Sequence, residues 1–213
     1  SSELEMVYES GVFGAHPERL TMSIREPTLI SGSNMTCSQS DLFMNYLQAG
    51  RIEVAFLGAA QIDRYGNLNS TVIGGYDHPK VRLPGSGGAC EIAIHSQKIF
   101  MILRLKKRAF VEKLDFLTSP GHLQGNKQER EKMGIPGAGP QLVVTDMGIF
   151  KFEADSGEMY LAELRPGIDL EEVKSEISWP IKVADDLQTT PPPTAEEIHI
   201  IREELDPECI HSR

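Results

Sequence analysis

The sequence predicts an α/β fold: a mostly parallel, mixed sheet flanked by helices, ending in a C-terminal helix. Three observations carry that expectation. Short apolar runs alternate with segments of helical spacing, the pattern of strands joined by crossover helices. Phe150-Lys151-Phe152-Glu153 and Met159-Tyr160-Leu161-Ala162 flank the turn-forming Ala154-Asp155-Ser156-Gly157-Glu158, so part of the sheet is an antiparallel hairpin. Thr194-Ala195-Glu196-Glu197, directly after Pro191-Pro192-Pro193, sets a threonine cap three residues before a Glu and so opens a helix.

The elements follow in chain order. Val7-Tyr8 belongs to a short apolar run, and Glu9-Ser10-Gly11 turns the chain so that the Glu9 side chain is presented rather than buried. Residues 40–50 place Leu42, Phe43, Tyr46 and Leu47 at helical spacing and close on Gly50, as a helix C-cap does. Val54-Ala55-Phe56-Leu57-Gly58 reads as a buried strand and Arg64-Tyr65-Gly66-Asn67 as a turn. After the glycine loop Gly85-Ser86-Gly87-Gly88 a new element begins at Ile92-Ala93-Ile94. Residues 98–105 mix strand-like apolar residues with charge, and Phe116-Leu117-Thr118 and Leu142-Val143-Val144-Thr145 read as short buried strands. Asp169-Leu170-Glu171-Glu172 is a second helix cap. The last helix is expected over residues 195–205, stopping before Pro207. The three prolines read as a stiff spacer and not a domain boundary, because the helix that follows is too short to stand alone and must pack on the core or on a partner.

With 213 residues, 40% of them hydrophobic, the chain can bury one substantial core, and a single domain over residues 1–213 is expected. Basic residues number 21 against 31 acidic, a net charge of −10 that disfavours nucleic acid or an anionic membrane as partner. Cys37, Cys90 and Cys209 stand far apart with no paired spacing, which indicates neither a disulfide framework nor a zinc site and fits a reducing cytoplasm. No apolar run approaches the roughly 20 residues that span a bilayer, and no signal peptide is visible.

Glu9 is the first candidate for chemistry. A carboxylate with an ordinary pKa of about 4.3 is ionised at neutral pH, so as a nucleophile it needs no base, only desolvation and alignment, which suits acyl transfer. Taken alone the turn reads more readily as a solvated Glu in a strand-to-loop turn, and it is the rest of the chain that reverses this. The side-chain-poor backbone at Gly85, Ser86, Gly87 and Gly88 can aim N–H groups at an oxyanion, each donor typically worth about 3 kcal/mol, although a tight turn needs the same glycines for steric reasons. Gln61 and Asn69 can reach a ligand or bond loop backbone. Lys80 and Arg82, just before the glycine loop, are candidates to meet the phosphates of an anionic ligand, although basic residues near a loop are more often simply solvated. Tyr76-Asp77-His78 is a weaker cluster, Cys90 reads as a small buried side chain, and Lys106-Lys107-Arg108 as a solvated face or a subunit contact.

Several linked motifs then take on a common meaning. The Glu9-Ser10-Gly11 turn is followed by Phe56-Leu57-Gly58-Ala59-Ala60-Gln61-Ile62-Asp63, by Tyr65-Gly66-Asn67-Leu68-Asn69-Ser70-Thr71, and by the run from His78-Pro79-Lys80 through Gly85-Ser86-Gly87-Gly88-Ala89. Thr118-Ser119-Pro120-Gly121, Gly139-Pro140-Gln141-Leu142 and Ile201-Arg202-Glu203-Glu204-Leu205-Asp206-Pro207 continue the series. In this order and spacing the chain resembles the β subunit of family I coenzyme A transferases, most closely the glutaconate CoA-transferase type, over essentially its whole length. The resemblance implies a CoA-transferase/NagB-like open α/β fold from which an N-terminal βα portion, about 30 residues, is absent. It implies a nucleophilic Glu9 that carries CoA as a thioester in a ping-pong cycle, with Gly87 and Gly88 amides as oxyanion donors. Gly85, Ser86, Gln61, Asn69 and Lys80 would contact substrate or CoA. It implies coenzyme A as part of the acyl-CoA substrate, no permanently bound cofactor and no metal. The expected partner is a CoA-transferase α subunit in an α2β2 or larger assembly, the β chain alone being inactive, and the acid is dicarboxylic or related. An acyl-CoA hydrolase, a decarboxylase or lyase on the same fold, and a non-catalytic ligand-binding or scaffold subunit are the competing readings.

Overall fold

The computed structural model describes residues 4–210 except Glu18, Arg25 and Lys127. The chain divides into two compact units, Ser1–Tyr46 with Pro192–Arg213, and Leu47–Pro191, so one division falls inside the proline run.

In the first unit β1 (Val7–Tyr8), β2 (Val12–Phe13) and β3 (Met35–Thr36) form an antiparallel sheet in that order. Val12, Ala15 and Leu29 are its buried cluster, with Tyr8 packed against them. Ser38 caps α1 (Gln39–Leu42) by accepting the Asp41 N–H, and the helix continues as a π-helical turn over Phe43–Leu47 before Gly50, at φ 70°, ends it. The helix expected over 40–50 therefore forms, wider in its second half than an α-helix.

The second unit is built on one six-stranded sheet. Its members are β4 (Val54–Leu57), then, after the short hairpins β5 (Gln61–Ile62) with β6 (Leu68–Asn69) and β7 (Val72–Gly74) with β8 (Pro79–Arg82) and the helix α2 (Ala89–His95), the strand β9 (Lys98–Ile102). Past α3 (Gln128–Lys132) come β10 (Pro140–Val144), β11 (Gly148–Phe152) and β12 (Met159–Leu164), then α4 (Leu170–Ser175) and β13 (Lys182–Thr189). The order is β13-β12-β11-β10-β9-β4, with β4·β9, β9·β10 and β12·β13 parallel and the two pairs of the β10-β11-β12 meander antiparallel. This is the mixed, mostly parallel sheet expected, and the 150–162 hairpin lies within it.

Alternation along the strands sorts the faces. Ile99, Met101, Val143, Phe150, Met159 and Leu161 point into a core completed by Val173 of α4 and by Phe110, Ile177 and Trp179. Two sequence expectations need correction here. The strand at 54–58 is not buried: β4 is an edge strand whose Val54 and Phe56 are 36% and 58% exposed, because they alternate with Ala55 and Leu57, which alone face the core. Phe116-Leu117-Thr118 is not a strand; the backbone there is irregular, Leu117 is 50% exposed, and pairing is limited to a bridge between Ser119 and Leu68. β13 was not evident in the sequence.

The last helix belongs to the first unit. Thr194 and Glu197 form a reciprocal capping box for α5 (Ala195–His199), which runs on as a π-helical segment to Leu205 and stops at Asp206, before Pro207. The Leu205 carbonyl accepts the Leu20 N–H at 3.2 Å. Among the described residues no helix is long and apolar enough to cross a membrane.

Candidate functional site

Glu9 sits in the turn of the β1–β2 hairpin, closed by Gly11 N–H donating to the Tyr8 carbonyl at 2.9 Å. Gly11 has φ 92°, and a side chain there would overlap the Cys37 carbonyl oxygen, so only glycine lets the turn lie this tightly against the chain leaving β3. The Glu9 carboxylate is half-buried, and its Oε1 accepts a hydrogen bond from Gln39 Nε2 at 3.0 Å. Gln39 is a neighbour of the candidate Glu9 that sequence reasoning missed. The Ser38–Asp41 cap could have placed residue 39 in the first turn of a helix, but nothing in the sequence says what that turn faces.

The glycine loop lies in the second unit and is tied at both ends. Upstream, Gly85 and Ser70 exchange two bonds: Gly85 N–H to the Ser70 carbonyl and Ser70 Oγ–H to the Gly85 carbonyl, each 2.9 Å. Downstream, the Ser86 carbonyl accepts Ala89 N–H at 2.8 Å, Ser86 Oγ accepts Cys90 N–H at 3.2 Å, and Gly88 leads into α2. Gly85 at φ 96° and Gly87 at φ 49° hold the left-handed turns between; Gly87 is exposed and Gly88 buried. The two ends of this loop are thus held by hydrogen bonds.

Gln61 and Asn69 are both buried, with their amides engaged within the fold. Asn69 is fully buried, and its Nδ2 donates to Gln61 Oε1 and to the Val72 carbonyl, both at 2.7 Å, while Oδ1 accepts from Thr71 N–H at 2.9 Å. Gln61, 5% exposed, also accepts from Asp115 N–H and donates to the Asp115 carboxylate at 2.9 Å. The amides hold the strand pair from which the Ser70 anchor springs. Lys80 is exposed on β8. Arg82 is folded back, its guanidinium 4.9 Å over the Tyr76 ring and bonded to the Tyr76 carbonyl, while Tyr76 stacks on Phe116 at 5.4 Å.

Burial, reinforced by the neighbouring Glu91, raises the Cys90 thiol, which keeps it protonated and poorly nucleophilic. Burial also raises Asp63 against the opposing hydrogen bonds from Asn67 and Tyr65. Among the described residues no three His, Cys, Asp or Glu side chains gather as a metal would need. A concavity of the first unit, about 1010 Å³, is lined by His16, Arg19, Met22, Glu204 and Asp206 among others; Glu9 is not in its lining.

The family model described as Coenzyme A transferase matches residues 3–176. The chain is 43% identical over 202 residues to the B subunit of the 3-oxoadipate CoA-transferase of Pseudomonas knackmussii, covering 95% of this chain and 77% of the relative. It is 47% identical over 163 residues to the B subunit of the glutaconate CoA-transferase of Acidaminococcus fermentans, covering 76% of this chain and 60% of that relative. The crystal structure of glutaconate coenzyme A-transferase from the same organism superposes with a TM-score of 0.88 at 36% identity, over 96% of this chain and 80% of that one.

Proposed function

This chain belongs to the coenzyme A transferase family, as a β-subunit chain of family I, and from that premise we propose that it moves CoA from an acyl-CoA to a free carboxylate through a thioester on Glu9. The observation that carries the reading is the Glu9 turn, a half-exposed carboxylate on a two-strand hairpin with one oxygen held by Gln39.

In the proposed cycle a Glu9 oxygen attacks the thioester carbonyl. The C–S bond breaks, giving an acyl-glutamyl anhydride and CoA thiolate. The thiolate attacks the Glu9 carbonyl carbon and expels the first carboxylate, leaving CoA on Glu9. An acceptor carboxylate then attacks that thioester and the two steps run in reverse, restoring the Glu9 carboxylate and releasing the new acyl-CoA. Each addition passes through a tetrahedral oxyanion, for which the Gly87 and Gly88 amides are the proposed donors. Gly85, Ser86 and Lys80 are proposed at the substrate or CoA, with Gln61 and Asn69 acting through the loop they support. Water would destroy both intermediates, so a closed site is needed. A CoA-transferase α subunit, in an α2β2 or larger assembly, is the proposed partner. The relatives' names, 3-oxoadipate and glutaconate CoA-transferase, support a dicarboxylic acid as substrate.

Mass spectrometry of the intact assembly, incubated with a panel of acyl-CoAs, tests this. The expected result is a CoA adduct confined to the Glu9 peptide, discharged by added carboxylate and absent from Glu9→Ala. Acyl-CoA consumption without an adduct, persisting in Glu9→Ala, would move a hydrolase or lyase ahead; binding without turnover would favour a scaffold role.

A further inference from the structure

Arg130 lies on the short helix α3, in a charged run that reads as solvated surface, yet it is 2% exposed. Its guanidinium reaches four backbone carbonyls from three separate segments. Nε donates to Gly137 O at 3.0 Å, Nη1 to Pro120 O at 3.2 Å and Gly121 O at 2.8 Å, and Nη2 to Ala93 O at 2.9 Å. Among the described residues no carboxylate lies within salt-bridge distance of it. Burial lowers its pKa to about 10, so it remains a cation at neutral pH, solvated by carbonyl dipoles.

Three of those carbonyls belong to the arms that hold the glycine loop. Ala93 lies in α2, where its carbonyl is among the last four that the helix itself leaves unbonded, and the loop enters the other end of that helix. Pro120 and Gly121 continue the segment in which Thr118 Oγ1 accepts the Ser70 N–H at 2.9 Å, and Ser70 exchanges two bonds with Gly85. One planar group therefore ties the downstream arm of the loop to the upstream one.

We infer that Arg130 is a positioning residue that fixes the place of the 85–88 backbone by joining α2 to the Thr118–Ser70 arm. The consequence for turnover rests on the proposed donor role of Gly87 and Gly88. A lysine carries its donors on one nitrogen and lacks the planar fork that sets Nη1 at Gly121 and Nη2 at Ala93 while Nε meets Gly137.

The test is Arg130→Lys in the intact assembly, read by hydrogen exchange and by steady-state kinetics per folded site. Exchange is expected to rise in peptides spanning 84–95 and 69–72 while the 148–164 hairpin stays protected. kcat should fall by about 10–100-fold with KM for acyl-CoA little changed. Exchange that rises throughout the unit, or not at all, would overturn the inference. A local rise with unchanged kcat would uphold the pin and overturn the donor role of Gly87 and Gly88 instead. If Arg130→Lys fails to fold, Thr118→Val cuts the upstream arm with little change in volume. The same local rise over 84–88 is expected there, and unaltered exchange in that variant would overturn the relay.

Discussion

Replacing Asn69 by Ala probes the support of the loop without touching the loop itself. Asn69 and Val72 are both fully buried. The substitution removes the Nδ2 bond to the Val72 carbonyl at 2.7 Å and the Oδ1 bond from Thr71 N–H at 2.9 Å, whereas Gln61 Oε1 keeps the Asp115 N–H at 3.1 Å. The Val72 N–H, which donates to Oδ1 at 3.3 Å, is released as well. The two groups of fully buried Val72 lose a partner where water cannot replace it, and at about 1–3 kcal/mol each the expected loss is about 2–6 kcal/mol. For a chain of this size that lowers Tm by about 4–24 °C, measurable by thermal unfolding followed by circular dichroism. Asn69→Asp adds a pH signature, since it sets a carboxylate oxygen against two acceptors, Gln61 Oε1 and the Val72 carbonyl. Folding then favours the protonated acid and raises its pKa above the unfolded value. The variant should recover stability as pH falls through that raised pKa and lose it as pH rises. A Tm for Asn69→Ala that matches wild type, a change under about 0.5 kcal/mol, would refute the idea that Asn69 is a saturated structural hub.

Gly87→Ala forces an L-residue to φ 49° at a backbone cost of about 1–2 kcal/mol, and acyl transfer by the assembly should slow with KM nearly constant; an unchanged rate would argue against a donor at this loop. Leu161→Ala and Phe56→Ala test the sidedness of the sheet by urea unfolding: the buried leucine should cost about 2–5 kcal/mol, the exposed phenylalanine less than about 0.5 kcal/mol, and equal losses would contradict the assigned faces. Because the Asp63 carboxyl is raised in the fold, its contribution is full at pH below the ordinary carboxylate range and declines as pH rises through the raised value. Relative to wild type, the Tm of Asp63→Asn should therefore improve with increasing pH through the acid range, and a constant difference would count against the assignment. Thr194→Ala removes the hydroxyl from the α5 capping box, so limited proteolysis should cut within 195–205 sooner than in wild type.

What could be read from the sequence, and what could not, follows from the range of the forces involved. The 150–162 hairpin and the Thr194 cap are local: turn residues and a cap three positions from its Glu are adjacent in sequence, and both appear where expected. Val54-Ala55-Phe56-Leu57 misled because a continuous apolar run says nothing about how many faces of a strand are covered, and here only one is. Phe116-Leu117-Thr118 is too short to show a period, and Thr118 takes its role from a hydroxyl facing Ser70 and Thr71 across 47 residues or more of chain. Gln61 and Asn69 offered amides that could equally serve a ligand or the framework, and only their neighbours decide. Gln39 and Arg130 gave no sign, since a Gln opening a helix and an Arg among Glu and Lys are what a solvated surface also contains.

The strand order has a bearing on how the second unit comes into being. β10, β11 and β12 follow one another through short links, whereas β4 must wait for β9, with residues 58–97 between them. Closing the longer loop costs more chain entropy, and local contacts form sooner. The meander is thus the natural nucleus, and pulse-labelled exchange during refolding should find protection at 140–164 before 54–57. The long excursion that carries the glycine loop is then laid down on a scaffold already standing, so errors in it arise late and leave the rest of the unit intact.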